Sequence, residues 1–385
     1  MRQGQRKFEL SGRGGRGVRF RWLGVDIEIY CARMIRRPWI IGLAVVVMGL
    51  PALQAQPVGG DLSASETKDA ATAKVQSGDA DSEGYILCRG TCDASAVVAL
   101  AGGQFLVADD EDNTLRIYSW SQGGLPLQAF DLSDFLRVDR RSPEVDLEGA
   151  AVLGDRVFWI SSHARNKKGR ERESRHRFFA TTLPRPEGTP RLQPVGQPYT
   201  RLLADLLHEP RLQPFNLAAA ARLAPKQPGG LNIEGLCATP EGHLLIGFRN
   251  PIPDGKALVV PLLNPTELIE GRAARLGAPQ LLDLGGLGIR DMTRAEDRYY
   301  LIAGTYDGRG RSRLYEWRDG WSSPRLVPGI EFAGLNPEAI ACVTVQGARR
   351  LLIVSDDGAR LIDGQACKQL KAPDRKYFRA LTIPL

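Results

Sequence analysis

Short apolar runs separated by polar turns fill most of this chain, and one characteristic pair of runs occurs five times. One pair reads DLEGAAV, a Gly-Asp turn and RVFWISSH, which is the pattern of an antiparallel hairpin with an acidic residue at its start. The other pairs open with DASAVVA, NIEGLCA, IRDMTRA and NPEAIAC, and continue with QFLVADD, HLLIGFRN, YYLIAGTY and RLLIVSDD. A hairpin that recurs in this way predicts a repeat architecture built from β-strands.

A third apolar run follows each hairpin, and a fourth follows in the first four units. Four antiparallel strands repeated at roughly 50 residues are typical of the blades of a β-propeller. We therefore predict an all-β fold, a five-bladed β-propeller with a short helical insertion at residues 199–224. A sixth blade inside the long second unit is the alternative. The predicted blades cover about residues 93–135, 146–198, 232–286, 289–333 and 335–385.

The last unit ends after its third strand, and an apolar run ahead of the first unit can complete it. This run is GYILCRG, residues 84–90, and its pairing with Tyr377–Pro384 would close the ring without an exposed edge. The same pairing would bring Cys88 and Cys92 near Cys367. Either cysteine can then form a disulfide with Cys367, and a local Cys88–Cys92 bond is the alternative.

The segment that starts at Met34 has the layout of a secretory signal peptide. Arg36 and Arg37 precede an apolar run of about twelve residues that ends at Pro51, and small residues follow. This run is shorter than the roughly 20 residues that span a bilayer. The general export route is favoured over the twin-arginine route, and an uncleaved anchor is the alternative. We interpret residues 1–33 as an extension upstream of the true start, 34–55 as the signal peptide, 56–83 as a disordered linker and 84–385 as the propeller.

The net charge of +7 comes from the N-terminal segment. Residues 1–37 hold ten Lys and Arg against three Asp and Glu, so the charges balance in the rest of the chain. A general basic surface is therefore excluded for the propeller. We expect a periplasmic or secreted monomer with no nucleic-acid partner and, after signal cleavage, no membrane partner.

Several of these motifs together resemble an uncharacterised family of bacterial secreted proteins, domain of unknown function 3616. The motifs are DLEGAA, WISSHARNKKG, RFFAT, NIEGL, GIRDM and NPEAIA, and they are spread over about residues 88–385. The resemblance implies a secreted β-propeller and brings no established reaction with it. The EGA and EGL strand openings are also similar, over a much shorter stretch, to the esterase-like phytase family.

The residues that open the five hairpins are the first candidates for chemistry. The first strand of each propeller blade lines the central channel, so equivalent residues of all blades meet at one mouth. These residues are Ser95, Glu148, Glu234, Asp291 and Glu338. Carboxylates held together repel one another unless a cation compensates, and oxygen-only ligands suit Ca²⁺. The arrangement resembles the calcium site of the five-bladed calcium-dependent apyrases. We predict a bound divalent cation; the alternatives are side chains that cap backbone N–H groups, and catalytic carboxylates.

The second strand of each hairpin returns to the same mouth, about fourteen residues later in the first four units. The side chains there are candidates for binding a ligand: Asp109, Ser162, His163, Arg165, Asn166, Arg249, Asn250, Tyr306 and Asp356. The loop from His163 to Arg177 adds seven Lys and Arg and two Glu to the rim. Because guanidinium groups suit phosphate and carboxylate, we expect a small anionic ligand such as a phosphate ester.

Three functions stay open for such a mouth. The first is the binding of a small anionic ligand beside a channel cation. The second is a metal-assisted phosphoesterase or other hydrolase, with His163, Arg165 and Arg249 as the catalytic candidates. The third is a protein-interaction scaffold that uses the helical insertion at residues 199–224.

The signal-peptide interpretation predicts that the exported protein begins near Gln56, because cleavage follows the small residues after the apolar run. N-terminal sequencing of protein recovered from the periplasm or the medium measures the start directly. Exported protein that still contained residues 1–33 would contradict the interpretation.

Overall fold

The computed structural model describes residues 17–22, 25–30, 85–139, 141–184, 191–318 and 323–385. Within the first seventy residues, which form a unit of their own, β1 (Gly17–Trp22) and β2 (Val25–Tyr30) pair as an antiparallel hairpin. The predicted signal peptide and disordered linker lie outside the described residues, so both stay predictions.

From Tyr85 onward the chain forms five four-stranded antiparallel sheets. Their strands are β3 (Ile86–Arg89), β4 (Ala94–Leu100), β5 (Gln104–Asp109), β6 (Thr114–Ser119), β7 (Gln128–Asp131), β8 (Leu147–Leu153), β9 (Arg156–Ser161), β10 (Phe178–Thr182), β11 (Pro194–Tyr199), β12 (Asn232–Ala238), β13 (Leu244–Asn250), β14 (Ala257–Leu262), β15 (Gln280–Leu282), β16 (Gly288–Ala295), β17 (Arg298–Gly304), β18 (Arg313–Trp317), β19 (Arg325–Leu326), β20 (Pro337–Val345), β21 (Ala348–Ser355) and β24 (Tyr377–Pro384). The first four sheets are β4–β7, β8–β11, β12–β15 and β16–β19, and the fifth is β20, β21, β24 and β3.

The remaining regular elements are short and lie in the connections. A small hairpin, β22 (Leu361–Ile362) with β23 (Gln365–Ala366), precedes the last strand. The α-helices are α1 (Ser133–Leu136), α2 (Leu202–His208), α3 (Leu217–Ala220) and α4 (Pro265–Leu268). Among the described residues, none of these helices has the length and apolar character that a bilayer-spanning helix needs.

The five sheets are the blades of a ring. The innermost strands β4, β8, β12, β16 and β20 each contact the next one, and β20 contacts β4, so the ring closes around a central channel. Within the described residues the apolar side chains form five buried clusters, one between each pair of neighbouring blades. The predicted five-bladed propeller is therefore confirmed, and the described residues of the second unit form no additional blade.

The fifth blade is completed from the other end of the repeat region. Strand β3 pairs with β24, with Cys88 opposite Phe378 and Ile86 opposite Ala380. These four side chains are buried with Phe105 and Tyr118 of the first blade, so β3 holds the two ends of the ring together. Each large apolar side chain buried in this way contributes about 1.5–3 kcal/mol.

The helical insertion packs onto the blades. The apolar side chains of α2 and α3, including Leu202, Leu206 and Leu217, are buried together with Phe178 of the second blade and Phe248 of the third. The insertion therefore docks against the blades.

A disulfide joins the two ends of the propeller sequence. Cys92, just ahead of β4, is bonded to Cys367, in the loop ahead of β24, and their Cα atoms are 6.0 Å apart. Cys88 is a free buried thiol, so the structure selects one of the pairings that the sequence leaves open. Disulfides persist in oxidising compartments, and this bond therefore fits a protein that works outside the cytoplasm.

Because the Cys92–Cys367 bond constrains the unfolded chain over a long loop, Cys92→Ser is expected to lower the free energy of unfolding by about 2–4 kcal/mol. Denaturant titration measures the change. Cys342→Ser is the matched control, since Cys342 is a half-buried free thiol, and it should change stability little. A Cys88–Cys92 peptide in a non-reducing digest would contradict the assignment.

Candidate functional site

Every innermost strand leaves one residue near its start out of the pairing with the second strand. The paired residues skip from Ala94 to Ala96, Leu147 to Gly149, Ile233 to Gly235, Ile289 to Asp291 and Pro337 to Ala339. The skipped residues are Ser95, Glu148, Glu234, Arg290 and Glu338. Such bulges re-aim a side chain, and they recur at functional sites. We call these five residues the bulge ring, and the end of the channel where they lie the upper mouth.

The bulge ring corrects one predicted member. The register places Arg290, not Asp291, at the position equivalent to Glu234. A shift by one residue turns a side chain to the opposite face of its strand. The Asp291 carboxylate instead accepts hydrogen bonds from the backbone N–H groups of Met292 and Ile340, each at 2.8 Å. Asp291 therefore ties the fourth blade to the fifth, as in the capping alternative.

Arg290 supplies a positive charge to the ring. Its Nε lies 2.8 Å from Glu338 Oε2 and 3.7 Å from Glu234 Oε2, and its Nη2 contacts Glu338 Oε1. Burial, followed by the charge of Arg249, lowers the pKa of Arg290 to about 10, so the guanidinium stays charged at neutral pH. Glu234 and Glu338 thus have a cation from the protein itself.

Arg249, at the end of β13, supplies a second positive charge to the ring. Its Nη1 lies 2.6 Å from Glu234 Oε1, and its Nε donates to the Thr305 carbonyl at 3.0 Å. Its Nη2 is buried without a hydrogen-bond partner, and so is Oε2 of Glu234. Buried polar atoms are normally satisfied, so unsatisfied ones mark a place for a bound group.

Glu148 belongs to a different set of acids. One carboxylate oxygen each of Asp110, Asp146 and Glu148 lies within 4.8 Å of the other two. Burial raises the pKa of Asp146 to about 7. Burial also raises the pKa values of Glu148 and Asp110 well above their usual range. The charge of Glu234 adds to the rise at Glu148, and the charge of Glu148 adds to the rise at Asp110. Oδ1 of Asp110 is buried without a hydrogen-bond partner. We call this set the acid triad.

Asp146 is held in place by its neighbours. Its Oδ2 accepts from the Ser162 hydroxyl and from Arg175 Nη1, the latter at 2.7 Å. The residue has a φ of 58°, which is uncommon without glycine and marks strained backbone at the site. Ser162, a predicted ligand residue, therefore orients an acid of the triad.

A second group of acids already has a cation. Asp93, Asp110 and Glu111 also place carboxylate oxygens within 4.8 Å of one another. The Lys368 ammonium lies 2.8 Å from Glu111 Oε1 and 3.7 Å from Asp93 Oδ1. Asp93 follows Cys92 and Lys368 follows Cys367, so the disulfide fixes both partners beside each other.

Other predicted residues have local partners. The Ser95 hydroxyl donates to the Ala108 carbonyl at 3.4 Å. Asp109 accepts from the Thr91 hydroxyl and the Glu111 N–H, and burial, followed by the charge of Asp112, raises its pKa to about 6.

Asp356 and Tyr306 follow the second strands of their blades, β21 and β17. The Asp356 carboxylate accepts from Asn336 Nδ2 at 3.0 Å and from the Gly358 N–H at 2.8 Å. Tyr306 is half-buried just after β17.

The catalytic candidates His163 and Arg165 form hydrogen bonds with backbone carbonyls. His163 is almost fully buried, its Nδ1 is 2.8 Å from the Ser161 carbonyl and its ring stacks on His176 at 5.8 Å. Burial, and then His176, lowers the pKa of His163 to about 3, so it is neutral at physiological pH. Arg165 donates from Nε to the Ala221 carbonyl at 2.8 Å and thereby ties its loop to the helical insertion. Asn166 caps the N–H groups of Lys168 and Arg170.

Sequence reasoning missed Asp110, Asp146 and Arg290, and each lies one or two residues from a predicted residue. Asp110 follows Asp109, Asp146 precedes LEGAAV, and Arg290 precedes Asp291. The acidic doublet that ends QFLVADD was the available signal for Asp110. A bulge position is not visible in a pattern of apolar and polar residues, which explains the displacement at Arg290.

The comparisons with known proteins identify a family. A family model described as "Protein of unknown function (DUF3616)" matches residues 93–185 and 191–327. No curated protein sequence is significantly similar to the chain. Among solved structures, an aldose sugar dehydrogenase from Streptomyces coelicolor is 13% identical with a TM-score of 0.38, covering 77% of this chain and 96% of that one. A glutaminyl cyclase from Myxococcus xanthus is 12% identical with a TM-score of 0.39, covering 78% and 95%. Likenesses this remote carry no argument about activity.

The buried neutral His163 predicts a pH dependence. Its pKa is lower in the folded protein than in the unfolded chain, so its contribution to stability is complete above about pH 6.5 and is lost as the pH falls toward 3. The loss should approach about 1.4 kcal/mol per pH unit in that window. His163→Asn, which tolerates the φ of 54° at this residue, should flatten the acid limb of the stability curve. Identical limbs in denaturant titrations of wild type and variant would contradict a buried neutral imidazole.

Proposed function

Since the chain belongs to the DUF3616 family, which is described only as a protein of unknown function, we propose its function from the upper mouth. It binds a small anionic ligand there, beside a divalent cation held by Asp110, Asp146 and Glu148. The observation that carries the proposal is the acid triad, whose oxygens approach within 4.8 Å of one another while no arginine pairs with Glu148 or Asp110 among the described residues.

The cation follows from electrostatics. Glu234 and Glu338 form ion pairs with Arg249 and Arg290, whereas the ion pair of the triad among the described residues is that of Arg175 with one oxygen of Asp146. Three carboxylates that cannot all ionise alone can do so around a divalent ion. An all-oxygen donor set from several chain segments suits Ca²⁺, which tolerates irregular geometry, better than Mg²⁺. The predicted cation thus keeps Glu148 as a ligand and gains Asp110 and Asp146.

The negative charge of the ligand is inferred from the arginines on the other side of the mouth. Arg249 has an unsatisfied Nη2, and Arg249 and Arg290 both lie close enough to Glu148 to offset part of the rise in pKa that burial and Glu234 cause there. An anion placed between the cation and these guanidinium groups would be attracted by both. Of the predicted catalytic residues, His163 is buried and neutral, and its Nδ1 is 2.8 Å from the Ser161 carbonyl, so it is not placed to act as a general acid or base beside the cation. The geometry therefore favours binding over hydrolysis, in an exported protein.

Added Ca²⁺ should raise the stability of wild type by about 2.7 kcal/mol at a hundred times Kd, and a chelator should remove the increase. Glu148→Gln and Asp110→Asn should abolish this response. Without Ca²⁺, Glu148→Gln should be more stable than wild type, because one member of a repelling set has been neutralised. Calorimetric scans with Ca²⁺ and with chelator measure both effects.

Asp112→Asn is the matched control for these scans. Asp112 lies in the same loop as Asp110 but pairs with Arg116 outside the triad, so its variant should respond to Ca²⁺ as wild type does. If the acids only cap the backbone, the chelator has no effect and both triad variants lose stability. That result would contradict the proposed cation site.

A further inference from the structure

A cavity of about 450 Å³ lies in the central channel on the side away from the upper mouth. All five innermost strands line it, and on each of them the lining begins two residues after the member of the bulge ring. Small-molecule sites are concave, measure about 300–1,000 Å³ and are mostly apolar with a few polar groups. We call this space the lower cavity.

The wall of the lower cavity keeps apolar side chains in contact with solvent. Ala99, Ala150, Ala238 and Cys342 line it and are half-buried, and Val152 lines it and is 38% exposed. They belong to four different blades, so the apolar surface surrounds the channel. Because contact between water and apolar surface is unfavourable, the hydrophobic effect would hold an apolar group that fills the lower cavity.

The polar side chains of the lower cavity lie on one side of it. Among the described residues they are Thr239 of the third blade and Thr293 and Arg294 of the fourth. Thr239 and Arg294 stand beside the turns that follow β12 and β16, at the outer rim of the cavity. A ligand that matches this wall is apolar over most of its length and carries a polar group at one end.

Arg294 has a positive charge that is available to such a polar group. The acids of the β16–β17 turn pair elsewhere, Glu296 with Arg349 at 3.4 Å and Asp297 with Arg318 at 3.2 Å. Within the described part of the chain, no carboxylate forms an ion pair with Arg294 itself. A guanidinium group forms strong hydrogen bonds with oxyanions, and a single guanidinium balances the single charge of a carboxylate.

We propose that the lower cavity binds a small apolar monocarboxylic acid. The carboxylate lies on Arg294, and the apolar chain points up the channel toward the bulge ring. The wall from Ala150 to Gly154 spans about 13 Å of extended strand, so a chain of medium length fits along it. The site lies at the other end of the channel from the acid triad and does not rest on the function proposed for the upper mouth.

Titration calorimetry with decanoate, kept below the concentration at which it forms micelles, tests the lower cavity. Wild type should bind decanoate but not acetate, which has the carboxylate without the chain. Arg294→Gln should weaken decanoate binding about tenfold, the loss of one charge-assisted hydrogen bond, and should leave binding of the uncharged decanol unchanged. Val152→Glu should weaken binding of both compounds by about tenfold or more, because it places a carboxylate in the apolar wall.

Two matched controls separate the lower cavity from general effects of charge and surface. Arg272→Gln removes an exposed positive charge from the β14–β15 connection, at the same end of the propeller. Leu326→Glu replaces a 50% exposed apolar side chain on β19, the outermost strand of the fourth blade. Both variants should bind decanoate as wild type does.

Cys342 gives a second readout of the occupied cavity. It is a half-buried free thiol in the cavity wall, whereas the free thiols of Cys88 and Cys237 are buried. Alkylation of Cys342 by iodoacetamide, followed on its peptide by mass spectrometry, should slow severalfold in saturating decanoate and stay unchanged in acetate.

Three results would overturn the lower cavity as a binding site: no decanoate binding by wild type, equal affinity of wild type and Val152→Glu, or unchanged Cys342 alkylation in saturating decanoate. An equal loss of decanoate and decanol affinity in Arg294→Gln would overturn the assignment of the carboxylate to Arg294.

Discussion

A bulge in each innermost strand re-aims one side chain, and the four charged ones interact with one another at one end of the channel: Glu148, Glu234, Arg290 and Glu338. Charges in that space are partly removed from water, so each must find a partner or shift its pKa. Arg290 forms ion pairs with Glu338 and Glu234, and Arg249 forms a second ion pair with Glu234. Among the described residues, Glu148 is the acid of the bulge ring that forms no ion pair with these arginines, and it lies with the acids of the triad instead.

The outcome is a mouth with two different sides. The acids of the first and second blades, Asp110, Asp146 and Glu148, are close together and short of positive charge. The third and fourth blades present guanidinium groups, one of which has an unused donor. In the proposed function, this electrostatic asymmetry orients a ligand that carries both a metal-binding group and an anionic group.

The architecture could be predicted from the sequence because each blade buries the same apolar positions, and the repeat makes that visible five times. Glu148 and Glu234 could be placed at the mouth for the same reason. The partners could not, because they come from different blades: Asp110 and Glu148 are brought together by the ring, and Asn250 meets Pro225 only after the insertion packs. At Arg290 the pattern failed by a single residue, which is the size of a bulge.

The fifth blade has a consequence for how the chain folds. Its fourth strand, β3, comes from the start of the propeller sequence and its third strand, β24, from the end, so a chain still being synthesised cannot complete it. Until the C-terminal residues emerge, β3 has no partner and the flank of the first blade that it covers stays open to solvent. Such unpaired strands and apolar flanks invite aggregation. A chain of this design gains from folding once, after the whole propeller sequence is present.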